Sequence, residues 1–356
     1  MDPRTRKLAQ LIVRYSLKVE PNTNVVISGG EEAREFILEL YKEVLLRGAY
    51  PIVNVSLNGM SDFYFKYANS NQINKFPEHK MNLVKDSQYY IGINTTGNTR
   101  ELSFADPKKI ISRKKVIRPI SDYIVNEKDK IKRVTVGYPC VSLAQEAEMS
   151  LNDYENFVYS SCISDWKKIS KGLKRISNIF EKGKEVHLIG ENVDLKFSII
   201  NKNSIADCGE ENMPGGEVYM APVRESLNGF IKFEYPAIYS SQEISGIYLK
   251  FINGKVVESK ADKNEKLLSE ILDTDENSSY VGEFGIGLNP GIKKYTKNLL
   301  FDEKIYGTIH LALGMAYKDN GGGNDSAIHW DIVKDMRRGK IILDGKVVFE
   351  KGLWKV

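Results

Sequence analysis

The chain has 356 residues, of which 42% are hydrophobic and 28% charged, with a formal net charge of +4. That is the balance of an ordinary globular protein, long enough for two domains or for one domain with a large insertion, and able to bury a core without disulfides or structural metal. The charge is spread over alternating lysines and acids, too diffusely to suggest a nucleic-acid or membrane-surface partner. No run approaches the roughly 18 apolar residues of a membrane span. Cys140, Cys162 and Cys208 are far apart and form no Cys-x-x-Cys pair. Thiolate zinc is therefore disfavoured, and a reducing compartment is expected. The opening Met-Asp-Pro-Arg-Thr-Arg-Lys leads into a short mixed segment rather than the apolar stretch of a signal peptide. A cytoplasmic protein is expected.

In chain order, residues 4–17 carry Leu8, Leu11, Ile12 and Tyr15 at helical spacing. Asn24–Ser28 reads as a short buried strand, followed by Gly29-Gly30. Residues 31–47 read as a helix with Phe36, Ile37, Leu40, Tyr41 and Val44 on one face, and Pro51–Val55 as the next strand. Strand, helix, strand at this spacing is a βαβ unit, so the N-terminal part is expected to be α/β with parallel strands, continued near 88–93 and 132–137. Helices are expected over 141–150 and 164–181. Beyond about 183 the pattern changes to short strands and turns. Asn253-Gly254 and Asp344-Gly345 each separate two apolar runs and tolerate the positive φ angles of a type I′ turn, so both mark hairpins. The expected division is an N-terminal α/β domain over 1–180 and a C-terminal α+β domain over 181–356, rich in antiparallel strands.

Several motifs carry no chemistry. Gly29-Gly30 lacks both the Gly-x-Gly-x-x-Gly and the Gly-Lys-Ser/Thr context, so a tight turn is favoured over phosphate binding. Gly285-Ile-Gly287 runs into Leu-Asn-Pro290 and does not open a helix. Arg113-Lys114-Lys115 reads as a solvated face, because no aromatics interleave with it. His79 sits in a polar loop context, and His187 in an apolar strand reads as a satisfied histidine.

His329 and Asp331 are different. They alternate with Ile328, Trp330 and Ile332, so a strand would put the imidazole and the carboxylate on one face. Such a pair suits a borderline divalent metal, although for this pair alone a mutual hydrogen bond without metal is the favoured reading. Three more polar residues shift the balance. His310 lies in Gly307-Thr-Ile-His-Leu-Ala-Leu-Gly314, with Tyr317 seven residues on. Glu283 lies in Gly282-Glu-Phe-Gly-Ile-Gly287, and Glu217 in Asn212-Met-Pro-Gly-Gly-Glu-Val-Tyr219. A lone carboxylate in an apolar, glycine-rich stretch is costly to bury unless it is paired or metal-bound. Two glutamates, two histidines and an aspartate are too many for one catalytic zinc with an open position. They suit two metals about 3.5–4 Å apart with a bridging carboxylate and a bridging water.

These stretches, in this order, resemble those of the M29 family of metallo-aminopeptidases, the thermophilic aminopeptidase or aminopeptidase T group. The resemblance is strong over 207–350, whereas the N-terminal half is similar in kind but carries no sharp motif. It implies that Glu217, Glu283, His310, His329 and Asp331 are ligands of two divalent metal ions. Zinc, cobalt and manganese all remain open for such donors. It also implies that Tyr317 faces the reacting carbonyl as an oxyanion donor, and that the substrates are peptides with a free N-terminus, cleaved by a metal-activated water. Glu283 and Glu217 both remain open as the proton carrier. Family members form dimers, so a homodimer is expected. One departure stands out: bacterial members often carry Thr-Glu before the glutamate matching Glu217, where this chain has Gly215-Gly216. Two rival readings stay open. One is a catalytically inactive metal- or peptide-binding paralogue, disfavoured because all five ligand types are present. The other is a different dinuclear hydrolase such as a phosphoesterase, disfavoured because Arg224 is the only basic residue near a motif core.

Overall fold

A computed structural model describes residues 2–240 and 242–356. The chain divides into two compact units: one runs to Ser164 and includes Gly209–Gly215, the other comprises Asp165–Cys208 and Gly216–Val356.

The first unit is built on an all-parallel sheet. Its strand order is Tyr50–Ser56, Asn24–Gly30, Tyr89–Asn94, Lys132–Gly137, Asn212–Met213. Val25, Val26 and Ile27 are consecutive and all buried, as expected for a strand covered on both faces. Helix Arg34–Leu46 buries Phe36, Ile37, Leu40 and Val44, the one-sided pattern of an amphipathic helix. The βαβ reading holds. At the point where strand order reverses, Gly29, Gly30, Asn94 and Thr95 help line a cavity of about 370 Å³.

Local departures from the sequence reading have simple causes. The first helix is α-helical over Pro3–Leu11 and then opens into a π-helical turn, Ile12–Ser16. Helix Pro107–Asn126 escapes a periodicity reading because lysines and arginines crowd it. It is nevertheless started by an Asp106 cap on the Lys108 amide and by Pro107 in the first turn. Arg113 turns inward to the carbonyls of Ile73 and Lys75 (3.2 and 2.7 Å), while Lys114 and Lys115 are exposed. His79 is exposed, but in helix Glu78–Lys85 rather than in a loop.

The second unit opens with helix Trp166–Glu181, capped by Asp165. The boundary expected near 180 falls at the end of this helix, whose Leu173, Ile176 and Phe180 join the second unit's core. Two antiparallel sheets follow. The larger has the order Lys255–Lys260, Tyr248–Ile252, Asn228–Lys232, Val193–Ser198, Glu185–Gly190, Lys340–Leu343, Lys346–Glu350, Leu353–Trp354. Both expected hairpins lie in it, and each turn pair has positive φ: Asn253 and Gly254 at 49° and 81°, Asp344 and Gly345 at 49° and 77°. His187 is half-buried and satisfied by Asp194 at 2.7 Å. The smaller sheet has the order His329–Asp335, Thr308–Gly314, Val281–Gly287, Glu217–Met220, Ile205–Asp207. Its apolar face supplies Val218, Met220, Phe284, Ile286, Ile309, Leu311, Leu313, Trp330 and Ile332 to the core. Each such side chain contributes about 1.5–3 kcal/mol by burial. The mixed α/β architecture, parallel first and antiparallel later, is the one expected. No helix among the described residues is long and apolar enough to cross a membrane.

Candidate metal centre

Strand alternation sends every second residue of the smaller sheet to the face opposite the core. Those residues are Glu217 and Tyr219, Glu283 and Gly285, His310 and Ala312, His329 and Asp331. The register then assembles them. Glu283, Ala312 and Asp331 lie in one cross-strand row, and Gly285 lies opposite His310. Ala312 is small enough to leave the flanking carboxylates room. A Cβ on Gly285 would sit 2.0 Å from His310 Nε2, so this glycine is what admits the imidazole ring. The Gly-Glu-Phe-Gly spacing thus has a steric cause.

His310 Nε2 lies 3.3 Å from Glu283 Oε1, 3.5 Å from Glu217 Oε2 and 3.9 Å from Asp331 Oδ1. His329 Nε2 lies 3.4 Å from Asp331 Oδ2. Glu283, His310 and Asp331 each offer a ligand atom within 4.8 Å of the others. Glu217 adjoins this trio through His310, and His329 through Asp331. Donors about 2.0–2.2 Å from one ion in a tetrahedron sit roughly 3.3–3.6 Å apart, the spacing of the His310–Glu283, His310–Glu217 and His329–Asp331 pairs but not of His310 and Asp331.

Polar satisfaction also fits a cation. Glu283 Oε2 and Asp331 Oδ1 are buried without hydrogen-bond partners among the described residues. Leaving such groups unsatisfied typically costs about 1–3 kcal/mol each. His329 Nδ1 lies 2.8 Å from the Met315 carbonyl. A carbonyl only accepts, so Nδ1 carries a hydrogen, and Nε2, on Asp331's side, is the nitrogen left to ligate once it has lost its own proton.

A family model described as thermophilic metalloprotease (M29) matches residues 1–354. The chain belongs to the M29 family. It is therefore a peptide-bond hydrolase of a metal-dependent class, and the buried Glu/His/Asp cluster fits a divalent metal site. Aminopeptidase AmpS of Bacillus subtilis strain 168 is 26% identical, covering 99% of this chain and 100% of that protein. Aminopeptidase T of Thermus aquaticus is 34% identical over 138 residues, 34% of this chain and 33% of that one. Wild-type AmpT from Thermus thermophilus has the same fold, with a TM-score of 0.86 at 22% identity over 99% of each chain. A 2,5-dihydroxypyridine dioxygenase from Pseudomonas putida KT2440 shares the fold at 0.65 and 11% identity, over 98% of this chain and 96% of that one. Fold alone therefore does not specify the chemistry.

In this M29 chain the five residues singled out from the sequence stand together, and Tyr317 joins them with its ring centroid 4.9 Å from that of His329. One feature was not read from the sequence. Lys304 is fully buried with its Nζ 3.1 Å from Glu217 Oε1, although Asp302-Glu-Lys304 looks like a surface charge run. Arg224, the basic residue singled out instead, donates to Asn277 Oδ1 at 2.5 Å and covers the Tyr280 ring at 4.1 Å. The Gly215-Gly216 departure also gains a reason. Gly216 has φ +110°, and a Cβ there would lie 2.6 Å from that of Asn289, so a side chain at 216 is strained in this backbone. The stretch between Gly321-Gly322-Gly323 and His329 is fastened by side chains. Asn324 is buried, its amide donates to the Gly314 and Asn277 carbonyls (2.5 and 2.9 Å), and Ser326 bonds Asp275.

The cluster is electrostatically self-balancing without a cation. Burial pulls His310 down, but Glu283, Glu217 and Asp331 outweigh it and raise the imidazole to about 9. Burial likewise opposes His329, yet Asp331 and Glu283 raise it to about 10. Burial lifts Glu217 to about 8 against the pull of Lys304, and it also raises Glu283. Burial pushes Asp331 upward, but His329 prevails and holds it below the usual carboxylate range. Below pH 9 both histidines therefore keep protons, which a metal bound through them would have to displace, since only neutral imidazole ligates. Metal uptake by chelator-stripped protein should release about three protons at pH 7, two from the imidazoles and one from Glu217, and apparent affinity should rise between pH 7 and 9. Titration calorimetry in buffers of different ionisation heat measures this; pH-independent uptake without proton release would contradict it.

Proposed function

We propose that the chain is an aminopeptidase that removes the first residue of peptides, using two divalent cations held by Glu217, Glu283, His310, His329 and Asp331. The observation that carries this reading is the buried Glu283–His310–Asp331 trio, extended by Glu217 at His310 and by His329 at Asp331, in an M29 chain whose full-length relative AmpS is named an aminopeptidase. A trio with one further donor attached through each of two members suits two ions sharing a carboxylate better than one.

When bound, the cations supply Lewis acidity, lowering the pKa of water toward neutrality and polarising a carbonyl. The protein's own groups do the rest. His329 is oriented by the Met315 carbonyl, so its ligand nitrogen is fixed. Tyr317, whose ring packs beside His329, donates a hydrogen bond to the developing oxyanion on this reading; loss of such a donor typically costs about 10²–10³ in turnover. Glu283 is the better proton carrier of the two glutamates. Its Oε2 is uncommitted by hydrogen bonding, whereas Glu217 Oε1 is held by Lys304. A free α-amino group seated among these carboxylates would confine cleavage to the first peptide bond.

A second copy of the chain is the proposed partner. Tyr50–Ser56 is an edge strand of the parallel sheet, and Val53 and Val55 on it are exposed. With Ile37, Leu38 and Tyr41 these valines line an apolar cleft of about 430 Å³. An open apolar edge of this kind invites pairing.

Two outcomes follow. With added zinc, cobalt or manganese, a short peptide with a free N-terminus should lose one residue by mass, and its N-acetylated form should stay intact. Equal cleavage of both, or internal cleavage, contradicts the aminopeptidase reading. Light scattering should give twice the chain's 40.4 kDa, reduced to one chain mass by Val53→Lys with Val55→Lys. A wild-type monomer at micromolar concentration contradicts the proposed pairing.

A further inference from the structure

Lys304 takes no part in the ligand set or in the proposed chemistry, yet it is the one ammonium in contact with a proposed ligand among the described residues. It follows the short helix Leu299–Asp302 and has no exposed surface. Its backbone is pinned: its N–H donates to the Phe301 carbonyl and its carbonyl accepts from the Asn289 N–H, both at 3.0 Å. Just before it, buried Asp302 accepts from the Thr296 amide and hydroxyl at 2.7 and 2.9 Å. The ammonium thus projects from a rigid turn onto Glu217 Oε1 at 3.1 Å, and it also bonds Glu303. Asp207, buried and directly opposite Glu217 in the strand register, adds a third carboxylate to this side. A buried ammonium is tolerated only against such partners.

This contact divides the two oxygens of Glu217. Oε1 is committed to Lys304, while Oε2 faces His310 at 3.5 Å. Among the described residues, Glu283, His329 and Asp331 make no hydrogen bond or ion pair with Lys304, whose ammonium bonds Glu217 and Glu303, although its charge also reaches Asp331. We propose that Lys304 is a positioning residue that holds Glu217 in a one-oxygen pose toward His310 and thereby sets the affinity of the cation site on the His310 and Glu217 side, leaving the site on the His329 and Asp331 side largely independent of it. The inference rests on the two-cation reading above.

The test counts cations. Chelator-stripped wild type, Lys304→Met and Lys304→Arg are titrated with zinc against a chromophoric competitor, and bound metal is measured by mass spectrometry. Circular dichroism checks that each variant is folded. Wild type should bind two equivalents. Lys304→Met should keep one near wild-type affinity and bind the second at least tenfold more weakly, while Lys304→Arg, which keeps the charge, should recover part of the loss. Lys304→Gln, which keeps a polar contact but no charge, replaces the methionine variant if that fails to fold, with the same expected loss. Two wild-type-like equivalents in the neutral variant would overturn the proposal. So would loss of both equivalents from a folded variant, because Lys304 would then support the whole centre. A wild type that binds only one equivalent instead removes the two-cation reading, and the proposal with it.

Discussion

Burial of charge is the constraint on which this structure turns. Glu217, Glu283 and Asp331 are each no more than 6% exposed, and His310 is not exposed at all. Carboxylates in such a place are held at a cost of several kcal/mol per ion unless a countercharge accompanies them. Without metal, the protons on His310 and His329 and the ammonium of Lys304 supply it. On the proposed reading a bound metal takes over that role, and the histidines, once deprotonated, become ligands. The same desolvation that makes the cluster expensive strengthens every electrostatic interaction within it, the condition under which a polarised carbonyl or an oxyanion donor has most effect.

The sheet makes this arrangement affordable. Its other face is continuous core, with Phe284 stacked edge-on to Phe197 at 5.0 Å and Leu311 and Ile332 buried beside them. Each site residue is thus flanked in sequence by an anchor on the opposite face, so the side chains converge on a scaffold that resists displacement. Small residues provide the room: Gly285 beside His310 and Ala312 between Glu283 and Asp331. The loop leading into His329 is fastened through Asn324 and Ser326, which fixes the entry of that strand.

Much of this was legible in the sequence because alternation is a short-range signal. Ile-His-Trp-Asp-Ile gives the facing of His329 and Asp331 directly, and isolated polar residues in Gly282–Gly287 and Gly307–Gly314 are anomalous enough to be noticed. The hairpins at Asn253-Gly254 and Asp344-Gly345 follow from turn chemistry. Helix Pro107–Asn126 was missed because its charge density hides its apolar stripe. Lys304 was missed for a deeper reason. Its burial depends on contacts with Glu217, 87 positions earlier in the chain, and nothing local distinguishes it from a surface lysine. Likewise, the strain at Gly216 depends on Asn289, a contact visible only once the strands are paired.

The same fold occurs in an aminopeptidase and in a dioxygenase, so it is the donor set rather than the topology that carries the chemistry. The most direct check of a two-cation centre is diffraction from crystals soaked in zinc, with anomalous difference maps recorded on both sides of the zinc absorption edge. Two peaks about 3.5–4 Å apart, one on the His310 and Glu217 side and one on the His329 and Asp331 side, are expected. A single peak within the Glu283–His310–Asp331 trio at saturating zinc would contradict the dinuclear centre.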